Sequence, residues 1–186
     1  MNVIVFSASP NKNGLTAACA AAALKGVRLA GGTAQEVRLN DLVVGMCRAC
    51  DDGWGTCLRE HECQRQDDFQ ALHTRALRAD ALVIVTPVYW GEMSTSAIVF
   101  TDRLRRCEGT RGEQSGLANK PVIAVAAAGG SGGGMISCLA SMERWIQHVH
   151  GRTFDLIPVN RWSREYKLTA ICEAARTLVQ EASRNA

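Results

Sequence analysis

Unbroken apolar runs alternate with amphipathic stretches along this chain. Val3-Ile-Val-Phe6, Ala81-Leu-Val-Ile-Val85 and Val122-Ile-Ala-Val-Ala-Ala127 carry no polar residue. Short runs of this kind mark strands covered on both faces. Strands are expected over about 2–7, 34–39, 81–86, 121–127 and 153–159. Between them the pattern predicts helices over about 14–29, 67–77, 94–106, 135–149 and 165–183, the first ended by Gly31-Gly32. Five strands alternating with five helices predict an α/β fold, a doubly wound five-stranded parallel sheet with helices on both faces. No linker divides the chain, so one domain over 1–186 is expected, with a cysteine-rich loop inserted at about 40–66.

Composition narrows the class. The chain has 186 residues, is 47% hydrophobic and carries a net charge of +3, too small and dispersed to suggest nucleic acid. No stretch is long enough to cross a membrane. The opening residues read as a strand with neither a basic leader nor a cleavage site, so a cytoplasmic location is expected. Eight cysteines without a secretory signal suggest metal or redox chemistry rather than structural disulfides.

Ligand in such a fold sits at the carboxyl ends of the strands. Three loops at that edge carry the signal. After the first strand, Ser7, Ser9, Asn11, Asn13, Gly14, Leu15 and Thr16 place hydroxyls, amides and a glycine at a helix start, which suits a phosphate. Helix capping by Asn13 or Thr16 is the ordinary alternative. After the third strand, Pro87, Val88, Tyr89, Trp90 and Gly91 form a stiff, partly aromatic wall suited to a planar ring. After the fourth, Ala128, Gly129, Gly130, Ser131 and Gly132 let backbone approach a ligand closely. No G-x-x-x-x-G-K-[ST] or G-x-G-x-x-G fingerprint is present. Cys138 and Arg144 have phosphatase spacing, but the residues between them read as helix interior.

These loops resemble the flavodoxin-like FMN reductase family, from Asn2 to about Val159. The resemblance implies that Ser9, Asn11, Asn13, Leu15 and Thr16 hold the FMN phosphate. It implies that Pro87 to Gly91 line the flavin and that Ala128 to Gly132 meet its other edge. NAD(P)H is then an expected electron donor, although no dinucleotide motif marks its site.

Cys47, Cys50, Cys57 and Cys63 lie within one loop as C-x2-C-x6-C-x5-C. Four compact thiols suit a 4Fe–4S cluster. A zinc site, or free or disulfide-forming thiols, are the alternatives. The motif, followed by Asp67-Asp68, resembles that of the iron–sulfur flavoprotein branch of the same family, with six residues where that branch usually has two. The resemblance implies an FMN-dependent oxidoreductase passing electrons to or from a small molecule or a carrier protein such as ferredoxin. It also implies a homodimer or homotetramer. An NAD(P)H-dependent FMN or quinone reductase without a cluster, and a flavin-binding electron carrier or sensor, stay open. An aminodeoxychorismate-type acid as substrate is a sub-case that no residue selects. Arg48, Arg59 and Arg65 interleave the cysteines and either offset cluster charge or face water. Cys19, Cys107, Cys138 and Cys172 are expected in core packing, with Trp145 and Trp162 as core or interface residues. His61 is a spare ligand candidate, and His148 and His150 suit a helix C-terminus.

Overall fold

The structure, a computed structural model, describes residues 1–184. The strands are β1 (Asn2–Ser7), β2 (Thr33–Arg38), β3 (Ala81–Tyr89), β4 (Glu92–Met93), β5 (Pro121–Ala128) and β6 (Arg152–Asn160). The helices are α1 (Leu15–Leu29), α2 (Thr56–Arg59), α3 (Phe69–Arg78), α4 (Thr95–Glu108), α5 (Met135–His148) and α6 (Arg164–Arg184). Five strands run parallel in the order β2-β1-β3-β5-β6, and the two-residue β4 pairs antiparallel with β3. Setting β4 aside, this is the flavodoxin-like 2-1-3-4-5 order, whose switch point lies between β1 and β3.

The apolar runs are buried on both faces, as their pattern requires. Val3, Val5, Val83, Val85, Ile123 and Val125 pack beneath α1 and α6. Ile4, Phe6, Leu82, Ile84, Val122 and Ala124 face the opposite layer, against Phe69, Phe100, Met142 and Ile146. Odd and even positions of each strand therefore serve different helical layers.

Three elements differ from the sequence reading. β3 continues past Thr86 to Tyr89, because Pro87 closes the β5 ladder opposite Ala127 and needs no donor there. The chain then reverses at Trp90-Gly91 into β4, a sixth strand too short to leave a pattern. α2 is a single turn inside the cysteine loop. Among the described residues no helix is long and apolar enough to cross a membrane.

Candidate functional site

β1, β3 and β5 are hydrogen-bonded neighbours, so the loops leaving their carboxyl ends meet at one sheet edge. The first loop enters α1 without a side-chain cap. Gly14 holds the N-cap position and no acidic residue lies in the first turn. Capping by Asn13 or Thr16 is therefore not the role of this loop. Instead Ser9 Oγ accepts the Asn11 N–H at 3.2 Å and Asn11 Oδ1 accepts the Asn13 N–H at 3.0 Å. These bonds curl the loop over the helix start, where first-turn N–H groups and the dipole favour an anion. Ser7, Ser9 and Thr16 are buried there, and Asn11 and Asn13 are exposed. Ser94 ties this loop to the next: its Oγ donates to the Ala8 carbonyl at 2.8 Å, and its N–H donates to Thr86 Oγ1 at 3.0 Å.

In the second loop Trp90 and Gly91 both have positive φ, 54° and 81°. Such a two-residue turn matches the twist of its flanking strands. It leaves the Trp90 ring wholly in solvent. The third loop closes against this turn. A Cβ on Gly134 would stand 2.7 Å from Gly91 Cα, so only glycine permits the approach. Ser137 Oγ, on α5, donates to the Gly91 carbonyl at 2.8 Å.

Between these two loops lies an open cleft of about 520 Å³, lined by Val88, Trp90, Gly91, Ser131, Gly133 and Gly134. Four candidates from the sequence meet in it. Ala128 ends β5, paired with Asn160. Gly129, Gly130 and Gly132 lie off the wall, which Gly133 and Gly134 take instead. Pro87 stays in the sheet, half-exposed Tyr89 precedes the turn, and the first loop lies beside the cleft rather than in it. Trp162 is not core: it is exposed, and a Cβ on Gly132 would meet its ring at 2.5 Å.

Cys47, Cys50, Cys57 and Cys63 share a second recess, against the far end of α4. All eight cysteines are free thiols. The four loop thiols are half-buried, and among the described residues no three Cys, His, Asp or Glu side chains converge on a metal-ligand arrangement. His61 does not line the recess, nor does Arg59; Arg48 and Arg65 do, joined by Arg103 and Arg106 from α4.

Arg103 is the largest fully buried side chain among the described residues. Its Nη1 donates to Asp67 Oδ2 at 2.7 Å and to the Gly45 carbonyl at 3.1 Å. Its Nη2 donates to Cys63 Sγ at 3.2 Å and to the Arg65 carbonyl at 3.0 Å. Burial alone would raise the Asp67 carboxyl, but hydrogen bonds from Arg103 and from the Gly45 and Phe69 N–H groups outweigh it and hold the pKa below its ordinary value. Burial likewise works against the Arg103 charge, and Asp67 and Cys63 more than restore it. Arg106 stacks over Trp54 and donates to the Gly53 carbonyl.

Residues 1–155 match the family model described as NADPH-dependent FMN reductase. The chain belongs to that family. An iron–sulfur flavoprotein of Methanosarcina thermophila is 27% identical over 154 residues, covering 81% of this chain and 75% of that protein. One from Archaeoglobus fulgidus is 29% identical over 104 residues, 56% of this chain and 46% of its own length. Among solved structures, an NAD(P)H:quinone oxidoreductase from Methanothermobacter marburgensis superposes with a TM-score of 0.70 at 19% identity, covering 96% of each chain. A flavone reductase superposes with a TM-score of 0.73 at 16% identity, over 98% of this chain and 63% of that one. As an FMN reductase family member, the protein is an FMN-dependent oxidoreductase.

The donor sets of this FMN reductase relative fit two groups. The uncapped helix start suits a phosphate, and the stiff turn with its glycine wall suits a flat ring. The thiol recess suits a sulfur-ligated cluster on chemical grounds. It supplies four soft ligands and four guanidinium groups against their charge, and Arg103 Nε and Arg106 Nε are buried without an acceptor. The sequence missed Ser94, Ser137, Arg103 and Arg106. The two serines left no signal beyond lying in or near the loops. The arginines sit in a helix to whose charges the sequence reading gave no role.

Proposed function

We propose that the chain is an FMN-dependent oxidoreductase in which Cys47, Cys50, Cys57 and Cys63 hold a 4Fe–4S cluster, and which relays electrons between the flavin and a small molecule or a carrier protein such as ferredoxin. The observation that carries this reading is the gathering of four loop thiols into one arginine-walled recess. The names of the curated relatives support it.

When bound, the flavin takes electrons singly or in pairs and the cluster takes one at a time, so together they couple the two modes. The protein's part is positional. The first loop, from Ser9 to Thr16, offers its helix start to the phosphate. Val88, Trp90 and Gly91 on one side and Ser131, Gly133 and Gly134 on the other bound the ring. Arg103 donates an N–H to Cys63 Sγ at 3.2 Å and would offset the charge of a centre ligated through that sulfur. No side-chain acid or base is needed for such a relay. α4 spans about 20 Å between Ser94 at the first loop and Cys107 at the recess. Cleft and recess thus lie at opposite ends of one helix. That separation supports a homodimer or homotetramer in which the recess of one chain faces the flavin of another.

A cluster-free NAD(P)H-dependent quinone reductase is the second reading, favoured by thiols that share a recess without converging. Anaerobic purification separates the two. About four irons and four sulfides per chain, with broad absorbance under the flavin bands, support the first. Iron-free protein whose flavin NADPH bleaches at once supports the second and overturns the first.

A further inference from the structure

The corner between β6 and α6 holds one exposed ring in a fixed place. β6 ends at Asn160, opposite Ala128 at the end of β5, so the corner stands beside the glycine loop. Asn160 Oδ1 accepts the Trp162 N–H at 3.1 Å and the Ser163 N–H at 2.9 Å, and the Asn160 N–H donates to Ser163 Oγ at 3.0 Å. These bonds fix the backbone on both sides of Trp162, whose side chain nonetheless stays 65% exposed. The Arg161 guanidinium lies over its ring, 4.3 Å from the centre. So large an apolar group, kept out of the core on a rigid corner, calls for a use outside the core.

What the ring touches is the middle of the glycine loop. A Cβ on Gly132 would meet Trp162 Cζ3, Cε3 and Cη2, all within 3.4 Å, and Gly132 has φ +75°. Glycine at this position lets the backbone lie directly on the ring. The neighbouring positions have no such support. A Cβ on Gly129 or Gly130 would meet nothing within 4 Å among the described residues, and Ser131 Oγ bonds inside the loop, accepting the Gly133 N–H at 3.3 Å. Glycines lose the most freedom on ordering, so a run of them makes a poor wall unless something braces it. Gly134 is closed on Gly91 at one end of the run, and Trp162 supplies the contact at its middle.

We propose that Trp162 is a positioning residue for the flavin ring. It braces the loop at Gly132, so that Ser131, Gly133 and Gly134 stand as a preformed wall of the cleft. Trp162 does not itself line that cleft and acts only through the loop. This rests on the reading that the ring lies between the two loops.

The test titrates flavin-free wild type, Trp162→Ala, Trp162→Phe and Gly134→Ala with FMN and with riboflavin, which has the ring but no phosphate, following fluorescence. The thermal midpoint of each flavin-free protein is measured alongside. Trp162→Ala is expected to bind both ligands about tenfold more weakly, by the same factor, because ordering about one backbone residue is then charged to binding. Trp162→Phe keeps a flat ring and should stay within about threefold of wild type. The midpoint of Trp162→Ala should lie within about 2 °C of wild type, since an exposed ring leaves no cavity. Weaker binding of FMN alone overturns the inference, because the effect then lies at the phosphate. A lowered midpoint, or a phenylalanine variant no better than alanine, overturns it as well. Unchanged affinities in Trp162→Ala beside weakened ones in Gly134→Ala overturn this inference alone. Unchanged affinities in both, or a wild type that binds no riboflavin, overturn the placement of the ring and this inference together.

Discussion

Replacing Arg103 by methionine removes its head group, which also stacks 4.2 Å over the Phe69 ring, while keeping most of the buried aliphatic stem. The guanidinium has acceptors at Gly45 O, both Asp67 carboxylate oxygens, Cys63 Sγ and Arg65 O. Breaking a buried ion pair from one side costs about 3–5 kcal/mol. Asp67 is not wholly abandoned: Arg65 Nε stays at 3.1 Å, and the Gly45 and Phe69 N–H groups each at 3.0 Å. The lower end, about 3 kcal/mol, is therefore expected. With a urea slope of about 2 kcal/mol/M, the unfolding midpoint falls by about 1.5 M. Two measurements at pH 7 on metal-free protein check this: urea unfolding followed by circular dichroism, and trypsin cleavage at Arg48, Arg59 and Arg65. Cleavage accelerates if the loop detaches ahead of the core. Arg105→Met is the control, since its ion pair with Asp102 is surface-exposed and removes less than about 1 kcal/mol. A midpoint no lower than the control's, with unchanged cleavage, refutes the claim that Arg103 pins the loop.

Three further outcomes follow from buried groups and close approaches. Burial pulls the Lys120 amine down to about 8, so between pH 8 and 10.5 the unfolded chain holds the extra proton. Wild type should accordingly gain up to about 3 kcal/mol over Lys120→Met as pH rises through that window, read by denaturation at pH 7.5 and 10.5. Burial would raise Glu108, but bonds from His73 at 2.7 Å, Ser115 at 2.8 Å and the Gly116 N–H at 2.9 Å outweigh it and lower its pKa. Its stabilisation is thus complete above the ordinary value of 4.5 and lost as pH falls through the lowered one, so Glu108→Gln should be less stable at pH 7 by about 1.5–3 kcal/mol, the gap narrowing below pH 4.5 in acid titrations. Gly134→Ala sets a Cβ against Gly91 Cα at φ +77°, a strain of about 1–3 kcal/mol. It should weaken FMN binding roughly tenfold in fluorescence titration, while an unchanged affinity would show that the two loops part without consequence for the ring.

The layers of this fold were legible because its three central strands, β1, β3 and β5, are apolar on both faces, a pattern no amphipathic helix imitates. The first loop stood out for a different reason, since its five polar side chains at one helix start exceed what capping uses, and none of them caps α1. Legibility failed where a few residues override a pattern. β4 has only two residues, and nothing in Pro87-Val-Tyr89 says that the strand runs on before reversing. The glycine-loop candidates stopped at Gly132, although Gly133 and Gly134 line the cleft, because a run of identical residues carries no register. Cys107 was assigned to core packing from its isolation in sequence. The assignment held for its burial but overlooked its neighbours across the loop. Arg103 was the deepest omission. In a helix with Asp102, Arg105 and Arg106 beside it, one more charge looks like solvent-facing decoration until Asp67 is brought across the fold.

α4 also works as a caliper. Its first residues rest against the Ser94 anchor, and its last two turns present Arg103, Arg106 and Cys107 to the thiols. One extra residue inside it would rotate that trio by about 100° and slide it by about 1.5 Å, while every sheet hydrogen bond stayed intact. Lengthening this helix by a single position past Phe100 would therefore leave the strand ladders in place yet turn Leu104 out of the core and part the recess from its arginines.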